Sequence, residues 1–395
     1  MHLGVILKQE EPLFSNITDI PPDSIFGIND LYLKDPRKDK INLTIGILVT
    51  EDGKVAPILE SVKLAEKAIT EKQITKNYLA IDGDESYISE TKKIVFGETD
   101  YTKIYGAQTI GGTSAISILA EFLMKEVSSF ISIPNPTWEN HENIFKRFDF
   151  HVDKYPYPEG MFEHLANLND GSIVLMHAVC HNPTGLDLSE DDILKLRELC
   201  IQKKLIPFFD NAYQGFKDGL DNDAFMIRKF LEKDMSFVVA HSYSKSFSLY
   251  GERVGALFVK MKDKTLHDKI KRNIRSLIRT NYSNPPRHGA MIVAEILKDQ
   301  KLRTLWESEL AFARERMNLM RMHFYQKLKE KIPEKPFDEL RNGGGFFALL
   351  GLDDEASKRL KDEFSIYLAP KSRVNLTAIN GRNIDRIVDA IRQVL

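Results

Sequence analysis

Short apolar runs, each bounded by polar or turn-forming residues, punctuate the chain between about Pro57 and Leu297. Phe130-Ile131-Ser132-Ile133, Ser172 to Val179, Leu205 to Phe209, Phe237 to Ala240 and Val254 to Val259 read as buried strands. Stretches of helical spacing lie between several of them, such as Ser189 to Lys204 with apolar Ile193, Leu194, Leu196 and Leu199. Strands that are apolar throughout, alternating with helices, predict an α/β fold: a mostly parallel sheet covered on both faces. After Lys301 a long charged helix is expected through Trp306, Leu310, Ala313, Met317 and Met320. It leads past Pro333, Pro336 and a glycine-rich turn to Phe346-Phe347-Ala348-Leu349-Leu350, which reads as a separate α+β lobe. The first ~45 residues, rich in Pro and Asp, either pack with that lobe or reach across to another subunit; pattern alone leaves both open.

Composition narrows the setting without naming a chemistry. With 395 residues, 43% hydrophobic and 28% charged, the chain is long enough for a large domain and a smaller one. A formal net charge of −2 gives no reason to expect nucleic acid or an anionic membrane as a partner. The two cysteines, Cys180 and Cys200, suggest no disulfide framework and a reducing compartment. Met1 to Leu7 is apolar but lacks a basic flank, and no arginine precedes Arg37, so neither a secretory signal nor a mitochondrial presequence is expected. No apolar stretch approaches the ~20 residues that span a bilayer. The expected location is the cytoplasm.

Candidate chemistry gathers around one lysine. Ser242-Tyr243-Ser244-Lys245-Ser246-Phe247 follows a strand and runs on to Gly251-Glu252-Arg253-Val254-Gly255. A lysine amine can condense with an aldehyde while Ser242 and Arg253 hold a phosphate. Ser-x-x-Lys strings are common by chance, but Lys245 falls just past a strand end, where open α/β sheets collect their sites. Gly111-Gly112-Thr113-Ser114 precedes an apolar helix, Ala115 to Leu123; small residues and helix amides suit an anion, although a capped tight turn looks the same. Trp138, in Asn135-Pro136-Thr137-Trp138, offers an indole for stacking on a planar ring, with His141 behind it; core packing is the commoner task of a tryptophan.

Two further strings are sharper. Cys180-His181-Asn182-Pro183-Thr184-Gly185 presents the Asn182 amide to a ring hydroxyl or phenolate. Phe209-Asp210-Asn211-Ala212-Tyr213-Gln214-Gly215-Phe216 sets a carboxylate at the mouth of a strand, with Tyr213 able to bond the same ring oxygen. An Asp there is often a helix cap; opposite a pyridine nitrogen it would keep that nitrogen protonated and the ring an electron sink. Such a sink is what pyridoxal phosphate supplies.

Taken in order, these strings resemble the aspartate aminotransferases, the class I branch of the pyridoxal-phosphate enzymes, from about Ile41 to the C-terminus. Thr75-Lys76-Asn77-Tyr78-Leu79 and Asn281-Tyr282-Ser283-Asn284-Pro285-Pro286 extend the likeness. The resemblance implies a transferase fold of type I. Its large domain holds a mostly parallel seven-stranded sheet flanked by helices, and its smaller domain is α+β. On that basis residues 1–45 form an N-terminal arm and part of the small domain, 46–312 the large domain and 313–395 the small one.

The resemblance also implies pyridoxal 5'-phosphate, held covalently by Lys245. Gly112, Thr113, Ser242 and Arg253 match the phosphate cup, joined by Tyr78 of the partner subunit. Trp138 matches the stacking tryptophan, Asn182 and Tyr213 the ring-oxygen partners, Asp210 the ring-nitrogen carboxylate and His141 its support. Gly46 falls in the substrate site. Arg373, in Ser372-Arg373-Val374-Asn375, matches the arginine that forks onto the α-carboxylate. Arg279 takes the distal carboxylate across a homodimer interface, with Ser283 beside it. The implied reaction is reversible, ping-pong transfer of an amino group between L-aspartate and 2-oxoglutarate, with small dicarboxylic amino and oxo acids as substrates and no metal.

The sequence departs from the family's pattern in three places. Ile45-Gly46-Ile47-Leu48-Val49-Thr50 lacks the usual aromatic and basic residue, Gly251 stands where asparagine is usual, and Pro370-Lys371-Ser372 before Arg373 is atypical. Aromatic-amino-acid transamination on the same scaffold is the nearest rival. A lyase or decarboxylase suits the paired arginines less well, and a non-catalytic scaffold would be expected to have lost the lysine or the phosphate ligands. A metal on His177-x-x-x-His181 with Cys180 lacks a fourth ligand in a matching motif.

Overall fold

The computed structural model describes residues 14–20 and 23–395, so the part of the expected arm at 1–13, 21 and 22 lies outside the described residues. Its first strand, β1 (Ile41–Asn42), is only a short clip. Seven longer strands follow: β2 (Ile104–Ile110), β3 (Phe130–Asn135), β4 (His151–Pro156), β5 (Ile173–His177), β6 (Ile206–Asn211), β7 (Phe237–Ser242) and β8 (Val254–Lys260). They form one sheet in the order β2-β8-β7-β6-β5-β3-β4. All neighbours are parallel except β8, which runs antiparallel to both β7 and β2.

Each central strand is buried on both faces, which is why its sequence is apolar without alternation. Leu175, Phe208, Val238 and Leu257 pack on one side against the helices Gly111–Glu126 and His267–Asn281. Their neighbours Val174, Phe209, Val239 and Phe258 join a second core with Leu196, Phe230, Val293 and Trp306 on the other side. The expected doubly covered α/β sheet is therefore present.

Two strands differ from the sequence reading. β2 carries Gly106, Gln108 and Thr109, and β4 is a half-exposed edge with His151, Asp153 and Lys154, so neither shows an unbroken apolar run. The helix expected from Ala115 already begins at Gly111, and the run read as Ser172 to Val179 leaves the sheet after His177.

The later chain builds the smaller part. The 32-residue helix Gln300–Lys331 leads to β9 (Phe347–Leu349), β10 (Ile366–Tyr367) and β11 (Arg373–Asn375). β9 pairs antiparallel with β11, and β1 pairs in parallel with β10. Of the two fates left open for the early chain, the described residues around β1 therefore pack with the C-terminal part.

Candidate active site

Strands β3, β5, β6 and β7 run in parallel and end on one side of the sheet, where their following loops converge on a cavity of about 370 Å³. That size is ordinary for a small-molecule site. Parallel strands leave the first turn of each crossover free to carry side chains, so chemistry collects at this edge.

One end of the cavity is shaped for an anion. Gly112 and Thr113 lie in the first turn of Gly111–Glu126, whose free amides and dipole favour negative charge. Ser242 closes β7, its Oγ donating to Ser244 Oγ at 3.1 Å, and Arg253 points Nη1 at Ser244 Oγ (3.3 Å) and the Tyr250 carbonyl (3.1 Å). Gly111 sits at φ 73°, and a Cβ there would fall 2.5 Å from Arg253 Nη2. Only glycine leaves room for that guanidinium to lie against the helix start.

Next to this cup stands Lys245, half-buried on the cavity wall, its Nζ 4.8 Å above the Tyr213 ring. Burial lowers its pKa to about 8; Asp210 opposes the fall, and Arg253 and Arg373 add to it. Burial alone would raise the Asp210 carboxyl, yet the His141 hydrogen bond, the nearby imidazoles and Lys245 hold it below the usual carboxylate range. Tyr213 is pushed well above the ordinary phenol value by burial, so it remains a donor.

Behind Asp210 runs a chain of hydrogen bonds that the sequence reading found only in part. His141 Nε2 donates to Asp210 Oδ2 at 3.1 Å, while Thr137 Oγ1 lies 2.8 Å from His141 Nδ1 and 2.9 Å from His177 Nε2. Burial and the neighbouring His141 drive His177 down to about 3, so its imidazole is neutral. His181 Nδ1 lies 2.9 Å from Thr184 Oγ1. Trp138 lines the cavity edge-on to His141, with ring centroids 5.1 Å apart.

The opposite end is cationic. Arg373 is only 5% exposed; Nη1 donates to Asn182 Oδ1 (3.2 Å), Nη2 to the Thr44 carbonyl (2.6 Å), and its Nε has no partner among the described residues. Phe347 packs beneath the guanidinium at 4.2 Å. Gly46 meets the same ring, for a Cβ on it would fall 2.7 Å from Phe347 Cζ. A buried guanidinium with an unpartnered Nε, lining the same cavity as an amine, can take a carboxylate.

The strap Thr44 to Val49 roofs this end. Asn375 Nδ2 bonds the carbonyls of Ile45 and Ile47, Thr377 Oγ1 that of Ile47, and Arg316 that of Val49. From the other side Tyr250 accepts the Leu48 N–H at 2.9 Å.

Gly46, Gly112, Thr113, Trp138, Asn182, Asp210, Tyr213, Ser242, Lys245, Arg253 and Arg373 thus share one cavity, with His141 immediately behind. Three expected residues do not line it. Tyr78 is 85% exposed, and Arg279 is exposed and donates to Ser283 Oγ. Sequence reasoning gave no role to Ile116, Tyr250 and Phe347, which also line the cavity. The only local signal for Phe347 was its place after a glycine-rich turn.

Comparison with known proteins agrees with this geometry. Residues 38–391 match the family model described as aminotransferase class I and II. The aspartate aminotransferase of Escherichia coli is 40% identical, covering 97% of this chain and 100% of its own length. An aromatic-amino-acid aminotransferase of the same organism is 35% identical over 97% of this chain and 100% of its own. The structure of an aromatic-amino-acid aminotransferase from Burkholderia pseudomallei, covalently bound to pyridoxal phosphate, superposes with a TM-score of 0.93 at 38% identity, covering 98% of this chain and 100% of that one. With a buried amine, a cationic cup and a family match across nearly its whole length, the chain belongs to the class I and II aminotransferases.

Proposed function

We propose that this aminotransferase exchanges the amino group between L-aspartate and 2-oxoglutarate, giving oxaloacetate and L-glutamate, with pyridoxal 5'-phosphate as cofactor. The observation that carries the reading is the pairing of Lys245, its amine lowered to about 8, with the buried free-edged guanidinium of Arg373 across one cavity.

The donor set fits the cofactor. The cup made by Gly112, Thr113, Ser242 and Arg253 suits a phosphate, and the space beside Arg253 exists because Gly111 has no Cβ. When bound, pyridoxal phosphate supplies an aldehyde that accepts the amino group and a ring that spreads the electron pair left at the substrate Cα. Asp210, kept anionic by His141, would hold a proton on the ring nitrogen of the bound cofactor. Asn182 and Tyr213 would donate to its ring oxygen, and the Trp138 indole would cover one face. Lys245 Nζ, neutral for a useful fraction of the time near pH 8, takes the Cα proton and returns it elsewhere, which is general base and then general acid work. Arg373 grips the α-carboxylate through its free edge.

Preference for a second carboxylate rests on Arg279. Its exposure, with that of Tyr78 and of Ile74 at 100%, fits a surface completed by a second copy, in which Arg279 and Tyr78 of the partner subunit enter the site beside Ser283 of the partner subunit. Among the described residues no helix is long and apolar enough to cross a membrane. A second reading, transamination of aromatic amino acids, is favoured by the apolar strap, which puts Ile45 and Ile47 on the cavity wall near Ile116.

The visible spectrum of the holoenzyme with and without aspartate tests the first reading. The expected yellow band converts when aspartate is added and returns with 2-oxoglutarate. Arg279→Leu is expected to lower kcat/KM for aspartate by a hundredfold or so and leave phenylalanine nearly unchanged; aspartate turnover untouched by the substitution would favour the aromatic reading.

A further inference from the structure

The atypical segment before Arg373 has a conformation that the site described so far does not explain. Lys371 and Ser372 both lie in the left-handed region, at φ 58° and 53°. Side chains are disfavoured there and glycine is not. Ser372 uses its side chain within the fold: Oγ accepts the Leu352 N–H at 3.0 Å and donates to the Lys371 carbonyl at 2.7 Å. Its carbonyl accepts the Leu350 N–H at 3.2 Å, and Ala369 N–H closes the loop on the Arg373 carbonyl at 3.1 Å. Lys371 has no such use. Its side chain is exposed and forms no ion pair or hydrogen bond among the described residues.

What the loop achieves is placement. Lys371 lines a small chamber of about 30 Å³ together with Trp138, Glu139, Asn182 and Arg373. Trp138, Asn182 and Arg373 are also walls of the main cavity, so the chamber abuts the carboxylate end of the site. Its volume admits about one water molecule. Lys371 therefore adds a solvent-facing positive charge at the Arg373 end, and Glu139 adds a negative one that acts on the same guanidinium.

We propose that Lys371 is a specificity-determining residue that raises capture of substrates in proportion to their net negative charge, with Glu139 as its counterweight. The proposal rests on the dicarboxylate reading above and names how this chain selects within it. An exposed charge beside the carboxylate end of a cavity acts on approach and ground-state binding, not on proton transfer, and its pull scales with the charge of the incoming acid. A dianionic oxo acid such as 2-oxoglutarate feels it most, aspartate feels about half as much, and net-neutral phenylalanine feels none.

The test is steady-state kinetics of the holoenzyme at low and high salt, for wild type, Lys371→Gly, Lys371→Gln and Glu139→Gln. Glycine accepts the left-handed backbone, so Lys371→Gly removes the charge without asking the loop to refold. Expected for both lysine variants is a fall in kcat/KM of roughly three- to tenfold for 2-oxoglutarate at low salt. The fall should be about the square root of that for aspartate and absent for phenylalanine. It should sit in KM with kcat unchanged, and shrink at high salt. Glu139→Gln should shift the same quantities in the opposite direction. Equal losses for all three substrates would mean a displaced Arg373 and would overturn the proposal, as would no loss at all. A wild-type enzyme inert toward aspartate and 2-oxoglutarate but active on phenylalanine would overturn the dicarboxylate reading, a failure visible before any variant is compared.

Discussion

Lys245 is kept in its place at a cost that depends on pH. An ordinary lysine titrates at 10.5 and this one at about 8, because burial penalises the ammonium more than Asp210 favours it. The sign follows from linkage: a lowered amine pKa makes the folded protein take up fewer protons than the unfolded chain between the two values. The penalty is therefore full below pH 8, fades between about 8 and 10.5, and is gone above. In cofactor-free protein, Lys245→Met should gain stability over wild type at pH 7, and that advantage should shrink by about 2 kcal/mol at pH 10. Urea unfolding of both proteins at the two pH values reads it directly; an advantage independent of pH would mean that the amine is not held away from water. Lys245, Asp210 and Arg373 could be singled out in the sequence because the strings around them, taken in order, resemble one family; Lys245 follows β7, Asp210 lies near the end of β6 and Arg373 opens β11. Ile116, Tyr250 and Phe347 were not, since an apolar or phenolic side chain announces nothing until the fold shows which space it faces.

Among the elements, the long helix Gln300–Lys331 ties the two halves of the molecule together. Trp306 near its start is fully buried, stacks on Phe247 at 4.2 Å and donates to the Ser246 carbonyl at 2.8 Å, one residue from Lys245. Midway along it, Arg321, 2% exposed, donates to the carbonyls of Leu340 (3.2 Å), Gly345 (2.8 Å) and Phe347 (3.1 Å). Arg321→Met strands three buried acceptors and should cost roughly 3 kcal/mol. Because the same turn delivers Phe347 to the underside of Arg373, KM for the amino acid should rise more than kcat falls. Denaturant unfolding and kinetics on one preparation check both halves. The helix itself could be read from apolar spacing, as could five of the seven strands of the main sheet. β2 and β4 escaped because polar residues and glycines are tolerated where a strand's register is fixed by its neighbours. Arg321 escaped because a buried arginine bonded to carbonyls looks, in sequence, like any other on a charged helix.

On the scale of the whole molecule, the exposed Tyr78 and Arg279 stand apart from the cavity that Lys245 and Arg373 share. If each enters a neighbour's site, two damaged chains can repair one another. Subunit exchange between Lys245→Ala and Arg279→Leu chains should give mixed dimers with one intact site and one doubly defective site. About a quarter of wild-type aspartate turnover should then appear in the equilibrated mixture. No recovery after verified exchange would place both groups in one chain. Within a single chain, the backbone carbonyls from Thr44 to Val49 are stitched to Arg373, Asn375, Thr377 and Arg316. The strap over the cavity and the Arg373 guanidinium are thus tied into one hydrogen-bonded unit. Any displacement of Arg373 would therefore be passed through these hydrogen bonds to the segment that carries Ile45 and Ile47 on the cavity wall.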